Sequence, residues 1–137
     1  MSELTGGCLC GALRYTLKAP VEKVVICHCT HCQKSSGSAF SVNVLASEAD
    51  LALTGEVKVY EDKADSGNIL RRSFCPRCGS SLSSQGPARP GMVILKAGSL
   101  DDPKALKGVA AQIWAQSKQA WVDFAFESPV FEQGFVK

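Results

Sequence analysis

The chain has 137 residues, 45% of them hydrophobic and 20% charged, a size and balance that suit one globular domain with its own core and exclude long disordered stretches. Its 15 Lys and Arg stand against 13 Asp and Glu, a net charge of +2, and the basic residues are scattered, which argues against nucleic acid as a partner. No apolar run approaches the roughly 18 residues of a membrane span, and the opening Met-Ser-Glu-Leu-Thr-Gly-Gly-Cys lacks a leader's apolar centre, so the expectation is a cytoplasmic protein with no membrane partner.

In chain order, Leu13, Tyr15 and Leu17 share one parity, the mark of a half-buried strand. Val24–Cys27 reads as a further strand, and Thr30–Ser36 as a short helical turn. Phe40, Val42 and Val44 repeat the alternation, as do Val57 and Val59 after the turn signal Thr54-Gly55. Ile69–Cys75, Met92–Ala97, Gln112–Ala115 and Ala120–Phe126 are also β-prone, whereas Lys104–Trp121 as a whole fits either a helix or two strands. The sequence therefore predicts a mostly-β single domain over 1–137, with 132–137 as a loose tail.

Seven cysteines are an odd number, and they cluster in a way that suits metal or redox chemistry in a reducing compartment better than disulfides. They form Cys8-Leu9-Cys10, then Cys27-His28-Cys29-Thr30-His31-Cys32, then Cys75-Pro76-Arg77-Cys78-Gly79. On a strand, residues two apart face the same way, which pairs Cys8 with Cys10 and Cys27 with Cys29; a C-x-x-C turn likewise converges its sulfurs. Zinc takes four ligands in a tetrahedron, so seven thiolates divide as four and three. The favoured division sets Cys8, Cys10, Cys75 and Cys78 around a closed, structural zinc, and leaves Cys27, Cys29 and Cys32 around a zinc with an open fourth position suited to a soft sulfur ligand. A zinc-ribbon pairing of Cys29 and Cys32 with Cys75 and Cys78 competes with it, although the 42 intervening residues exceed the usual spacing. Metal-free thiol redox chemistry and an iron–sulfur cluster are the remaining alternatives.

The other chemistry-bearing residues read more blandly. His28, between two ligands, should point away from the metal, and His31 reads as an exposed turn residue sooner than as a proton shuttle. Lys34, Arg71 and Arg72 suit a ligand's carboxylates, but solvated charges are commoner. Trp114 and Trp121, lying in apolar runs, are expected to fill the core.

Three ordered blocks, Gly7-Cys8-Leu9-Cys10-Gly11-Ala12-Leu13-Arg14-Tyr15, Cys27 through Gly37 and Phe74-Cys75-Pro76-Arg77-Cys78-Gly79-Ser80, resemble the signature of the glutathione-dependent formaldehyde-activating (GFA) family, which includes centromere protein V. Gly98-Ser99-Leu100-Asp101 and Trp121 resemble its weaker later pattern. The resemblance implies a β-tent of small antiparallel sheets clamped by zinc, two zinc ions per chain with the three-cysteine site the more labile, and the four-plus-three division above. It further implies catalysis at Cys27, Cys29 and Cys32: a carbon–sulfur lyase-type enzyme acting on glutathione adducts, resembling S-(hydroxymethyl)glutathione synthase, with a small thiol such as glutathione as partner. A zinc-stabilised binding module without catalysis is the alternative of a different class.

Overall fold

A computed structural model of the chain describes residues 3–21 and 23–135. Ten short strands and one seven-residue helix build a mostly-β single domain: β1 (Leu4–Gly7), β2 (Arg14–Leu17), β3 (Lys23–Cys27), α1 (Thr30–Ser36), β4 (Ser41–Ser47), β5 (Leu51–Thr54), β6 (Lys58–Lys63), β7 (Ile69–Phe74), β8 (Ser81–Gln85), β9 (Met92–Lys96) and β10 (Ala111–Ile113). A small antiparallel sheet runs β1-β2-β5, and a larger one runs β10-β3-β4-β9-β8-β7-β6. In the larger sheet only β10 joins its neighbour, β3, in parallel. Among the described residues, no helix is long and apolar enough to cross a membrane.

Alternation along these strands sorts their side chains onto two faces. One face of the large sheet presents Val24, Val44, Leu82 and Leu95 to Tyr15 and Leu17 of the small sheet and to Leu13 just before β2, and this is the main core. The other face is assembled by register. Ile113, Cys27 and Ser41 stand in one cross-strand row, Ala111, Val25, Asn43 and Lys96 in the next, and Leu45, Ile94, Ser84 and Arg72 in a third. Ser41, Asn43, Ser84 and Arg72 are all buried, so this face too is covered, but by a lining that mixes polar and apolar groups.

The small sheet is tied to the end of β9 by a relay. The Tyr15 hydroxyl donates to Ser99 Oγ at 2.7 Å, and Ser99 Oγ in turn donates to the Lys96 carbonyl at 2.7 Å. Outside this relay, Asp101 meets both Arg14 and Thr5, which together draw its carboxyl down to about 2, Arg14 contributing most.

Two expectations are corrected here. Ala120–Phe126 is not a strand; Phe124 of this segment instead packs edge-on against Phe40 beside His28. The stretch Lys104–Trp121 is neither a helix nor two full strands: a 3₁₀ turn at Pro103–Ala105 leads to β10 and a second such turn at Ala115–Ser117. Within the tail expected to be loose, Gln133 and Glu132 accept backbone bonds from Trp114 and Gln116 at 2.9 and 3.1 Å; residues 136 and 137 lie outside the described residues.

Gly6 has a specific reason to lack a side chain. A Cβ there would stand 2.3 Å from Tyr15 Oη and 2.4 Å from the Ser99 carbonyl, where β1 bridges to Leu100. Gly6→Ala therefore overpacks the joint between the sheets, and we expect a stability loss of about 1–3 kcal/mol, read from urea unfolding. An unchanged midpoint would show that the joint gives way freely.

Candidate metal centre and its cavity

The seven sulfurs gather as a quartet and a trio. Those of Cys8, Cys10, Cys75 and Cys78 lie within 4.8 Å of one another, as do those of Cys27, Cys29 and Cys32. The ribbon pairing is thus not formed, because Cys75 and Cys78 stand with the N-terminal pair.

The quartet joins two turns. Its first half is not a strand pair as expected: β1 ends at Gly7, and Cys8–Gly11 is a turn closed by Gly11 N–H donating to the Cys8 carbonyl at 3.2 Å. The second half is the turn after β7, where Gly79 N–H donates to the Cys75 carbonyl at 2.9 Å and Gly79 adopts φ +76°, a conformation that favours glycine. Cys8–Cys10 and Cys10–Cys75 sulfur separations are 3.6 and 3.7 Å. A tetrahedron with zinc–sulfur bonds of about 2.3 Å has edges of about 3.8 Å, so the donor set fits zinc in kind and spacing. Backbone N–H groups of Leu13 and Arg77 point at Cys8 Sγ and Cys75 Sγ at 3.2 and 3.4 Å, supporting thiolate charge. Cys78 is held down to about 5, chiefly by the Ser80 hydroxyl and then by its backbone.

The trio spans the junction of β3 and α1. Cys27 is the last residue of β3, Cys29 is the N-cap of α1, and Cys32 sits in the first turn, its N–H donating to Cys29 Sγ at 3.2 Å. Cys27 and Cys29 therefore meet through the bend into the helix, and strand alternation plays no part. Three thiols so close cannot ionise independently. Cys32 is drawn down to about 2 by hydrogen bonds from Cys27 and Cys29, and Cys27 is pushed far up by Cys29 and Cys32. A divalent cation relieves that conflict, so this donor set also fits a metal, with one corner left over.

The trio opens onto a cavity of about 150 Å³, floored by the second face of the large sheet. Trp114 forms part of its wall, in a left-handed conformation (φ 57°) that turns the chain sharply after β10 and packs the residue against the trio with Ile113. This corrects the core reading of Trp114. Trp121 is not core either, being 73% exposed with its indole N–H donating to Gln119 Oε1 at 2.6 Å.

His28 is wholly buried and faces away from the trio; its Nε2 pairs with Gln112 Oε1 at 2.9 Å, beside Phe40 and Phe124. His31 is not a free surface group, since Nδ1 meets Asp62 at 2.8 Å and Nε2 meets Asp65 at 3.2 Å, and Asp62 first of all pulls its pKa upward. Lys34 is exposed, and exposed Arg71 pairs with Glu61 at 3.5 Å. Arg72 departs from the solvated reading: it is buried, its Nε donates to Asp62 at 2.8 Å, and it lines the cavity. The sequence reading missed Asn43 and Lys96, which line the same cavity and are joined by Lys96 Nζ donating to Asn43 Oδ1 at 2.8 Å.

Fold and site thus define a mostly-β protein with two thiol clusters of metal-ligand character, one at a joint between sheets and one on a cavity. The family model for the glutathione-dependent formaldehyde-activating enzyme matches residues 3–117, most of the chain, and the chain belongs to that family. A Halomonas elongata protein that carries the same description provisionally is 26% identical over 125 residues, covering 88% of this chain and 80% of that protein. The crystal structure of a Rhodobacter sphaeroides protein superposes with a TM-score of 0.59 at 21% identity, over 77% of this chain and 96% of the other, a likeness of fold.

The two clusters should differ in what their loss costs. If the clusters hold the zinc their spacing fits, Cys75→Ser should remove one ion per chain and lower the melting temperature by roughly 10 °C or more, since a structural zinc would contribute directly to folding. Cys29→Ser should remove the other zinc at a smaller thermal cost. Elemental analysis with calorimetry checks both, and equal destabilisation by the two variants would contradict the division of labour.

Proposed function

We propose that the chain joins the sulfur of glutathione to the carbon of formaldehyde, giving S-hydroxymethylglutathione, and runs the reverse, carbon–sulfur lyase direction at the same place. The observation that carries this reading is the trio: three ligand-spaced sulfurs on an accessible cavity, in a chain belonging to this family. Cys27, Cys29 and Cys32 would hold a zinc ion there, and Cys8, Cys10, Cys75 and Cys78 a structural one. When bound, the trio's zinc supplies a site that favours the ionised form of a thiol, which at a pKa of about 8.5 is otherwise only a few per cent ionised at neutral pH.

The chain's own residues supply confinement and orientation. Val25, Leu45, Ile94, Ile113 and Trp114 give the cavity apolar walls that limit water around the reacting sulfur. At about 150 Å³ the cavity is smaller than the roughly 300 Å³ at the low end of whole-ligand pockets, so it takes the cysteinyl arm of a tripeptide and a one-carbon reactant while the rest of the peptide stays outside. Arg89, exposed at the mouth with its guanidinium 5.8 Å from the Phe135 ring centre, offers a cation to a peptide carboxylate there. In the addition the sulfur's electron pair forms the new C–S bond, the carbonyl π pair moves onto oxygen, and that oxygen takes a proton from solvent. Holding the two reactants together accounts for acceleration without any covalent bond to the protein.

Glutathione and formaldehyde also combine unaided, so the test is the exchange rate at equilibrium, measured by ¹³C magnetisation transfer between hydrated formaldehyde and its glutathione adduct. The wild type should accelerate exchange, and Cys29→Ser should lower the enzymatic part by about a hundredfold or more while retaining the quartet's zinc. A wild type that leaves the exchange at its uncatalysed rate, carrying metal only at the quartet, would favour the binding-module reading instead.

A further inference from the structure

The trio presents a charge problem that its ligands do not solve. Three thiolates around a divalent ion leave one excess negative charge, and a fourth thiolate makes two, in a cavity with largely apolar walls. Such a charge is costly unless a cation stands close by and is not already neutralised.

Four charged side chains besides the thiols line this cavity: Arg72, Lys96, Arg89 and Asp65. Arg72 is committed to Asp62, and Asp65 to His31. Arg89 is exposed at the mouth, over Phe135. Lys96 differs. It sits at the end of β9, directly across from Asn43 in register, and has no carboxylate partner among the described residues. Among the described residues its ammonium's one hydrogen bond goes to the neutral Asn43 Oδ1. The Asn43 amide is itself fixed, since Nδ2 donates to the Val25 carbonyl at 3.2 Å and to Ser41 Oγ at 2.9 Å, so its oxygen is left for the ammonium. A buried amide thus anchors the lysine without cancelling its charge, where an aspartate at the same position would form an ion pair.

We infer that Lys96 is a specificity-determining residue that makes the trio's open corner selective for anionic sulfur over neutral donors, and that Asn43 positions it. The inference rests on the reading that the trio holds a metal and admits a thiol.

The test uses the full chain loaded with cobalt(II): four sulfurs close the quartet, so changes in the visible d–d bands and near-ultraviolet sulfur-to-metal absorption when a donor is added report the trio's open corner. Each protein is titrated separately with glutathione, a thiolate donor, and with imidazole, a neutral donor. Lys96→Met should weaken glutathione binding at least about tenfold, as expected for losing a unit charge close to the ligand, and leave imidazole within about twofold. Lys96→Arg should restore the preference. Asn43→Asp should shift it in the same direction as Lys96→Met, provided its melting curve shows it folded, and Lys34→Met, on the exposed face of α1, should change nothing. Equal weakening of both donors in Lys96→Met would reduce Lys96 to a structural role and overturn the assignment, as would unchanged glutathione binding. A wild type that takes up no cobalt at the trio would overturn the metal reading beneath it, and this assignment with it.

Discussion

Ionised sulfurs within 4.8 Å of one another repel strongly, and the chain places seven cysteines in two such groups. A cation at each centre would make the crowding tolerable, and N–H donors from Leu13, Arg77 and Cys32 are already aimed at the sulfurs. Everything else in the molecule serves this arrangement. Bringing Cys10 to Cys75 across 65 residues joins the small sheet to the far end of the large one, and the core of Leu13, Tyr15, Leu17, Leu82 and Leu95 closes beneath that joint.

The large sheet divides its labour by face. Because side chains alternate, β3 can contribute Val24 to the core on one side and Val25 with Cys27 to the cavity on the other, and β4 does the same with Val44 against Asn43 and Leu45. Register then decides which residues are neighbours across strands. A slip of one residue would send Asn43 and Lys96 into the apolar core and Val44 and Leu95 into the cavity, so the same hydrophobic pattern that stabilises the fold also fixes the composition of the site.

The sulfur clusters could be read from spacing because ligand chemistry is local: C-x-C and C-x-x-C force convergence within a turn. The same logic failed in detail at Cys8 and Cys10, where Gly11 at φ +83° permits a turn that strand alternation does not foresee. The alternating strands around Tyr15, Val44 and Ile69 were visible for the same local reason. Asn43 and Lys96 escaped notice, and Arg72 was read as solvated, because a polar residue opposite an apolar parity looks exposed when a strand is viewed alone. Tertiary neighbours from outside their own strands line the cavity with them, among them Asp65, Arg89 and the aperiodic chain after β10, where Gln112 and Trp114 are bonded to Pro129 and Gln133. Trp114 illustrates the limit well: its left-handed backbone, required to turn the chain over the trio, is set by that covering segment and not by its neighbours in sequence.

That covering segment falls largely beyond residue 117, where the family match stops, whereas every cysteine lies inside it. Phe135 reaches the cavity from this part of the chain, held there by a ladder of main-chain bonds that begins at Gln112. The thiol clusters and most of the cavity lining are consequently written within the matched stretch, and Phe135 adds a piece of the rim from the chain beyond it. Changes in the closing strip can redraw the doorway while the thiol scaffold behind it stays as it is.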